Sequence, residues 1–178
     1  NVGHGSIAIP GMLKALEAAW RRYGHMPWKE IMAPVIQMAR EGVAANMTLA
    51  AWLELAGKLI FYPQTESRKC FFTGEQAIRE NDIFTLPDYE QTLDAIATEG
   101  ARVFYEGYIA EAFEREIQSH GGYLKRSDMT NYRAIIRKPL VISSQNHKLA
   151  LNPPPSIGGA MVGSMIGMID SRWDSASS

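Results

Sequence analysis

One cysteine, Cys70, stands among the 178 residues. An internal disulfide and any cysteine-rich metal site are thereby excluded. Net charge is nearly absent too: 18 Lys and Arg against 19 Asp and Glu leave −1 with histidine neutral. That balance offers no electrostatic footprint for nucleic acid or anionic lipid. No apolar run suits a bilayer span. The longest weakly polar stretch, Ile157 to Ile169, is too short and too rich in glycine and serine. The start, at Asn1, shows no initiator Met, no basic n-region and no apolar h-region, so no targeting signal is visible. Internal repeats and low-complexity segments are missing as well. What remains is the composition of a soluble globular protein, 46% hydrophobic and 21% charged. Its length suits one domain with a real core, or part of a larger one. Both ends read as cut, with Ser171 to Ser178 trailing off in small polar residues, so a piece of a longer chain is expected.

Most of the chain carries helical periodicity. Leu13, Leu16, Ala19, Trp20 and Tyr23 form one face of a first helix that ends at Gly24. Trp28 to Glu41 reads as a second, with Ile31, Val35, Ile36 and Ala39 inward and Pro34 bending it or marking its true start. Asn46 caps a third that runs to about Ile60. Tyr62 to Leu86 is read as irregular. Helices follow at Tyr89–Glu99 and Tyr108–His120, with a short turn at Ala101–Tyr105 between them and another, capped by Ser127 and Asp128, running to Tyr132.

From Ala134 the period changes. Ile135-Ile136, Leu140-Val141-Ile142 and Leu149-Ala150-Leu151 are β-prone, and Ser143 to Asn146 is a turn signal, so the last two runs form a hairpin. Pro153-Pro154-Pro155 then breaks any ladder, Ser156 can cap a helix, and Gly158 and Gly159 permit a close backbone approach. A helix is expected from about Gly159 to Asp170, with Gly163 and Gly167 placed for close packing.

Chemistry is sparse. His4, His25, His120 and His147 are scattered and are read without a second ligand at i+3 or i+4, so no metal site is assigned. Cys70 lies beside Arg68 and Lys69, which could lower its pKa, but no histidine or asparagine partner is placed for it. Ser156-Ile157-Gly158-Gly159 could hold a small anion at a helix N-terminus, though it lacks the phosphate-loop lysine and the dinucleotide spacing. Gly5-Ser6-Ile7 lacks the nucleophile-elbow pattern. Glu41, Glu54, Asp94, Glu111 and Glu114 read as solvated helix faces with i, i+4 partners. No catalytic constellation emerges from residue chemistry alone.

The order of motifs is more telling. Ser6-Ile7-Ala8-Ile9-Pro10-Gly11 opens a helix, Tyr23-Gly24-His25-Met26-Pro27-Trp28 links to the next, and Pro34 to Gly42 fills that one. Thr92-Leu93, Ile96-Ala97, Glu99-Gly100, Phe104-Tyr105-Glu106-Gly107 and Ile109-Ala110 continue the series. Gly121-Gly122-Tyr123-Leu124, Asp128-Met129, Tyr132 and finally Pro153 to Gly159 complete it. In order and spacing, over nearly the whole chain, these resemble the large-subunit portion of the γ-glutamyltransferase family. Two departures stand out: Ile157 where the family usually has a second serine, and Gln145-Asn146 where an Arg-Gly is common.

The resemblance implies a mostly helical α+β fragment of an α/β/β/α N-terminal nucleophile hydrolase, made as a self-cleaving precursor. Residues 1–133 would be a helical portion of the large subunit, and residues 134–178 would belong to the sandwich core. It also implies a threonine at the head of a small subunit, both nucleophile and, through its α-amine, base. None of Thr48, Thr65, Thr73, Thr85, Thr92, Thr98 or Thr130 has that setting. The arginine that holds the substrate α-carboxylate would lie upstream of Asn1. The expectation is therefore a scaffold fragment with no catalytic residue, no substrate-binding residue and no cofactor of its own. Its partners would be the rest of the large subunit and the small subunit, or a second copy covering exposed apolar surface. A related acylase or amidohydrolase, or a helical interaction domain without chemistry, are the alternative readings. Family members are often periplasmic, secreted or membrane-anchored.

Overall fold

The computed structural model describes residues 3–61 and 65–176, and within it the chain separates into two units, Asn1–Ala134 and Ile135–Ser178. Tyr62 and Pro63, placed in an irregular stretch by the sequence, and the terminal Ser177 and Ser178 lie outside the described residues.

The first unit is helical. A 3₁₀ turn, His4–Ser6, leads to α1 (Met12–Tyr23) and α2 (Trp28–Glu41). Pro34 sits inside α2 without ending it. Asn46 caps α3 (Met47–Trp52): its side-chain oxygen accepts from the Leu49 N–H at 2.8 Å. That helix passes through a π-helical turn, Leu53–Gly57, into α4 (Lys58–Ile60). After α5 (Thr65–Phe71) come short strands β2 (Phe72–Thr73), β3 (Gln76–Ala77) and β4 (Ile83–Phe84). β4 pairs antiparallel with β1 (Val43–Ala44), while β2 and β3 pair with each other. α6 (Tyr89–Glu99), α7 (Arg102–Tyr105), α8 (Tyr108–Ser119) and α9 (Arg126–Asn131) complete the unit.

Two adjoining clusters form the core. Met32, Leu93, Ile96, Ala97, Val103 and Ile109 join α2 to α6–α8. Ala101, Tyr105, Ala110, Ile117, Leu124 and Met129 join α7, α8 and α9. Polar contacts fix α2 on α6 at both ends. The Trp28 indole N–H donates to the Ile96 carbonyl at 3.1 Å, and Arg40 reaches Glu90 at 2.6 Å.

Several expectations change here. The stretch read as irregular holds α5 and three of the strands, each too short for a periodic signal. Ile31 and Val35, expected inward from periodicity, are exposed, as are Leu16 and Tyr23 of the apolar face of α1, whereas Met32 is buried. The cap of α9 is Lys125, whose N–H donates to the Asp128 carboxylate at 2.9 Å, rather than Ser127 or Asp128.

The second unit is a hairpin and a helix. β5 (Leu140–Ser144) and β6 (His147–Leu151) pair antiparallel through five residues, from Leu140 opposite Leu151 to Ser144 opposite His147. The strands are longer than expected, and the turn is the two residues Gln145-Asn146, with Gln145 at φ 49°. Such tight hairpins need a left-handed residue. Ile135-Ile136 is not a strand. α10 runs from Ile157 to Ala176, past both expected ends. It seats on the hairpin at Gly163, where a Cβ would lie 3.4 Å from Leu151 and 3.7 Å from Leu140. Ser144 also donates to the Asp170 carboxylate at 3.1 Å.

Candidate functional site

The proline turn is the most distinctive local structure. Pro153 and Pro155 cannot donate to a ladder, so the chain leaves β6 at Leu151 and turns. The Ser156 N–H closes the turn on the Pro153 carbonyl at 3.1 Å, and the Pro154–Pro155 bond is cis. Gly159 then passes directly against the Asn152 backbone, so closely that a Cβ would collide with its carbonyl oxygen. The expected close approach belongs to Gly159 and not to Gly158, which has open space beside it.

Beside the turn, Pro154, Pro155, Ser156, Met161, Met165 and Met168 line an open groove of about 460 Å³. Ser156 and Ser164 are its polar side chains, and nothing in its lining titrates. Acid–base catalysis needs a group that can hold and release a proton, and this lining offers none.

The remaining candidates disperse. Cys70 is half-buried on α5, and burial pushes its thiol up, helped by Glu66 and opposed by Lys69. The lowering expected from its basic neighbours is overturned, because desolvation disfavours the thiolate more than Lys69 favours it. Ser6 donates to the Gly3 carbonyl at 2.8 Å within the 3₁₀ turn. The Thr92 hydroxyl donates to the Asp88 carbonyl at 3.3 Å and that of Thr130 to the Tyr105 carbonyl at 3.3 Å. Each threonine is thus tied to backbone rather than to a base. Glu41 accepts from Gln37 one turn away, as a solvated face would have it. Glu111 instead pairs across elements with Arg126 at 2.6 Å.

Two features escaped the sequence. Tyr105 is fully buried, and its hydroxyl donates to the Pro10 carbonyl at 2.6 Å while accepting the Lys14 N–H at 3.0 Å. Burial raises its pKa. One phenol therefore holds the Pro-Gly entry and the first turn of α1 onto α7, a long-range bond that no local pattern announces. The second feature corrects the histidine reading. Glu116 on α8 lies one turn before His120, the residue that caps the helix C-terminus. His4 stacks on His120 with ring centroids 4.4 Å apart and planes within 14°. His4, Glu116 and His120 each bring one ligand-capable atom within 4.8 Å of the others. His25 is not part of this group.

Across residues 1–178 the chain matches the family described as Gamma-glutamyltranspeptidase. It is 30% identical over 163 residues to the glutathione hydrolase 5 proenzyme of Rattus norvegicus, covering 92% of this chain and 28% of that protein. Its fold is similar to the Helicobacter pylori gamma-glutamyltranspeptidase, with a TM-score of 0.83 at 32% identity, over 91% of this chain and 46% of that one. It is also similar to the gamma-glutamyltranspeptidase of Pseudomonas nitroreducens, with a TM-score of 0.86 at 28% identity, over 97% and 50%. The chain spans less than a third of the curated relative and about half of each solved chain. Its mostly helical elements and its run of small motifs have a common explanation: the chain belongs to the gamma-glutamyltranspeptidase family.

Proposed function

We propose that this chain is the scaffold portion of an enzyme that hydrolyses or transfers the γ-glutamyl group of an amide such as glutathione. One observation carries the reading: the family match runs the full length of the chain, and the two threonines whose hydroxyl bonds are seen, Thr92 and Thr130, donate to backbone carbonyls rather than to a base. In the complete enzyme, a threonine outside these residues would attack the γ-carbonyl with its own α-amine taking the hydroxyl proton. The C–N bond would break, the departing amine would take up that proton, and water or an amino acid would accept the acyl group.

The second unit would then belong to the α/β/β/α sandwich. α10 supports this, because Ile157, Met161, Val162, Met165, Met168 and Ile169 are exposed on more than one side of it. A helix that is apolar all round is a core helix. Leu55 and Leu59, 80% and 65% exposed on the π-helical turn and α4, are a second such surface. The remainder of the large subunit and the small subunit would cover both. No described helix is long and apolar enough to cross a membrane.

The test is direct. The purified 178-residue chain should not turn over γ-glutamyl-p-nitroanilide, whereas the complete gene product should. Hydrolysis by the chain alone would place the nucleophile within it and overturn the scaffold reading.

A further inference from the structure

We infer that His4, Glu116 and His120 form a surface site for a divalent transition-metal ion, with Zn²⁺, Ni²⁺ and Cu²⁺ as its class. Each residue is brought there by the fold. Glu116 and His120 share one face at the end of α8, with His120 Nδ1 already 3.4 Å from Glu116 Oε1. His4 comes from the 3₁₀ turn at the other end of the sequence and lies flat on the His120 ring. The donors are thus two imidazoles and one carboxylate.

Donor type selects the ion. Imidazole suits Zn²⁺, Cu²⁺ and Ni²⁺, while Ca²⁺ and Mg²⁺ demand shells of oxygen. Geometry permits it with a small adjustment. Bonds of about 2.1 Å in a tetrahedral shell set neighbouring ligand atoms about 3.4 Å apart. The Glu116–His120 pair already has that spacing, and the whole triad lies within 4.8 Å. The rings must swing out of their stack, because an imidazole binds a metal in its own plane and two stacked, near-parallel planes offer no common position for one ion. Exposure makes this cheap: the His120 and Glu116 side chains are 53% and 67% exposed. His120 Nδ1 also lies 3.0 Å from the Glu116 carbonyl and from the Ser119 hydroxyl, contacts that a metal bound through this nitrogen would replace. Three protein ligands leave open positions for water. Bound metal would pin the 3₁₀ turn to α8.

The experiment titrates the complete gene product with Zn²⁺ alone, and with Mg²⁺ as a control, by calorimetry. Wild type should bind one more equivalent of Zn²⁺ than H4A or H120A, or hold that equivalent at least about tenfold more tightly. E116Q should show a smaller loss, and the H25A/H147A double variant should match wild type. In NMR spectra, Zn²⁺ should shift the imidazole signals of His4 and His120 together. All five substitutions are on exposed or half-buried side chains, and circular dichroism checks that each variant folds. Equal Zn²⁺ stoichiometry and affinity in wild type, H4A and H120A would overturn the site, as would no response to Zn²⁺ in wild type.

Discussion

The two units bury their apolar residues very differently. Every buried apolar side chain of the described residues, from Met32 to Met129, lies in the first unit. In the second, Gly159 is the one described residue that reaches that level of burial. The first unit closes a core around Tyr105; the second presents α10 as an apolar helix with a hairpin on one side. The first unit thus owns a core, although Leu16, Trp52, Leu55 and Leu59 stay exposed on it, whereas α10 of the second has its apolar residues largely exposed. Substitutions in the first unit's core should act on this chain by itself, and substitutions on α10 chiefly on the complete protein.

The largest effect is expected at Tyr105. Replacing it with alanine removes a fully buried ring and should cost about 3–5 kcal/mol. Y105F keeps the ring but strands the Pro10 carbonyl and the Lys14 N–H, at about 1–3 kcal/mol. Urea unfolding of the 178-residue chain, followed by circular dichroism at a helical band, measures both. A Y105A chain as stable as wild type would mean that the first unit does not own its core.

Next comes Gly159→Ala, which tests the one tight junction of the second unit. The new methyl meets the Asn152 backbone, which cannot rotate away as a side chain could. Overpacking of this kind should cost about 1–3 kcal/mol. It should also weaken hydrogen-exchange protection in β6 and the start of α10 while leaving α6–α8 unchanged. Loss of protection across both units would show that they unfold together.

Asn46→Ala is smaller, because only a cap is lost. The Leu49 N–H would go unpaired at the start of α3, at about 1 kcal/mol, read by the same urea titration.

This cap was legible because capping is local: a polar residue before an apolar run suffices. The order of helices and the hairpin were legible for the same reason. Faces were not. Periodicity names the apolar residues of α1 and α2 but cannot say which of them this chain covers, so Val35 reads as inward although it is exposed. Segments of two residues, such as β1 and β4, carry no period at all; only the fold brings Val43 opposite Phe84. The histidine–glutamate triad was half-legible. Glu116 and His120 declare themselves by spacing, whereas His4 arrives from more than a hundred residues away.

The smallest effect is the most informative about α10, because its sign should depend on what surrounds the helix. Gly167 has nothing within 4 Å of where a Cβ would be. In the 178-residue chain, Gly167→Ala should therefore stabilise by up to about 1 kcal/mol, through helix propensity alone. If the complete protein packs a neighbouring layer on this face, the same methyl has to be accommodated there, and the benefit should vanish or reverse. Met165→Ser offers the mirror image. Met165 is 51% exposed, so the change should move the chain's stability by no more than about 0.5 kcal/mol. In the complete protein it should lower the yield of soluble, assembled material. Thermal melts of both variants in both contexts decide the matter. Equal effects with and without the rest of the protein would leave α10 a surface helix and remove the contrast between the two units.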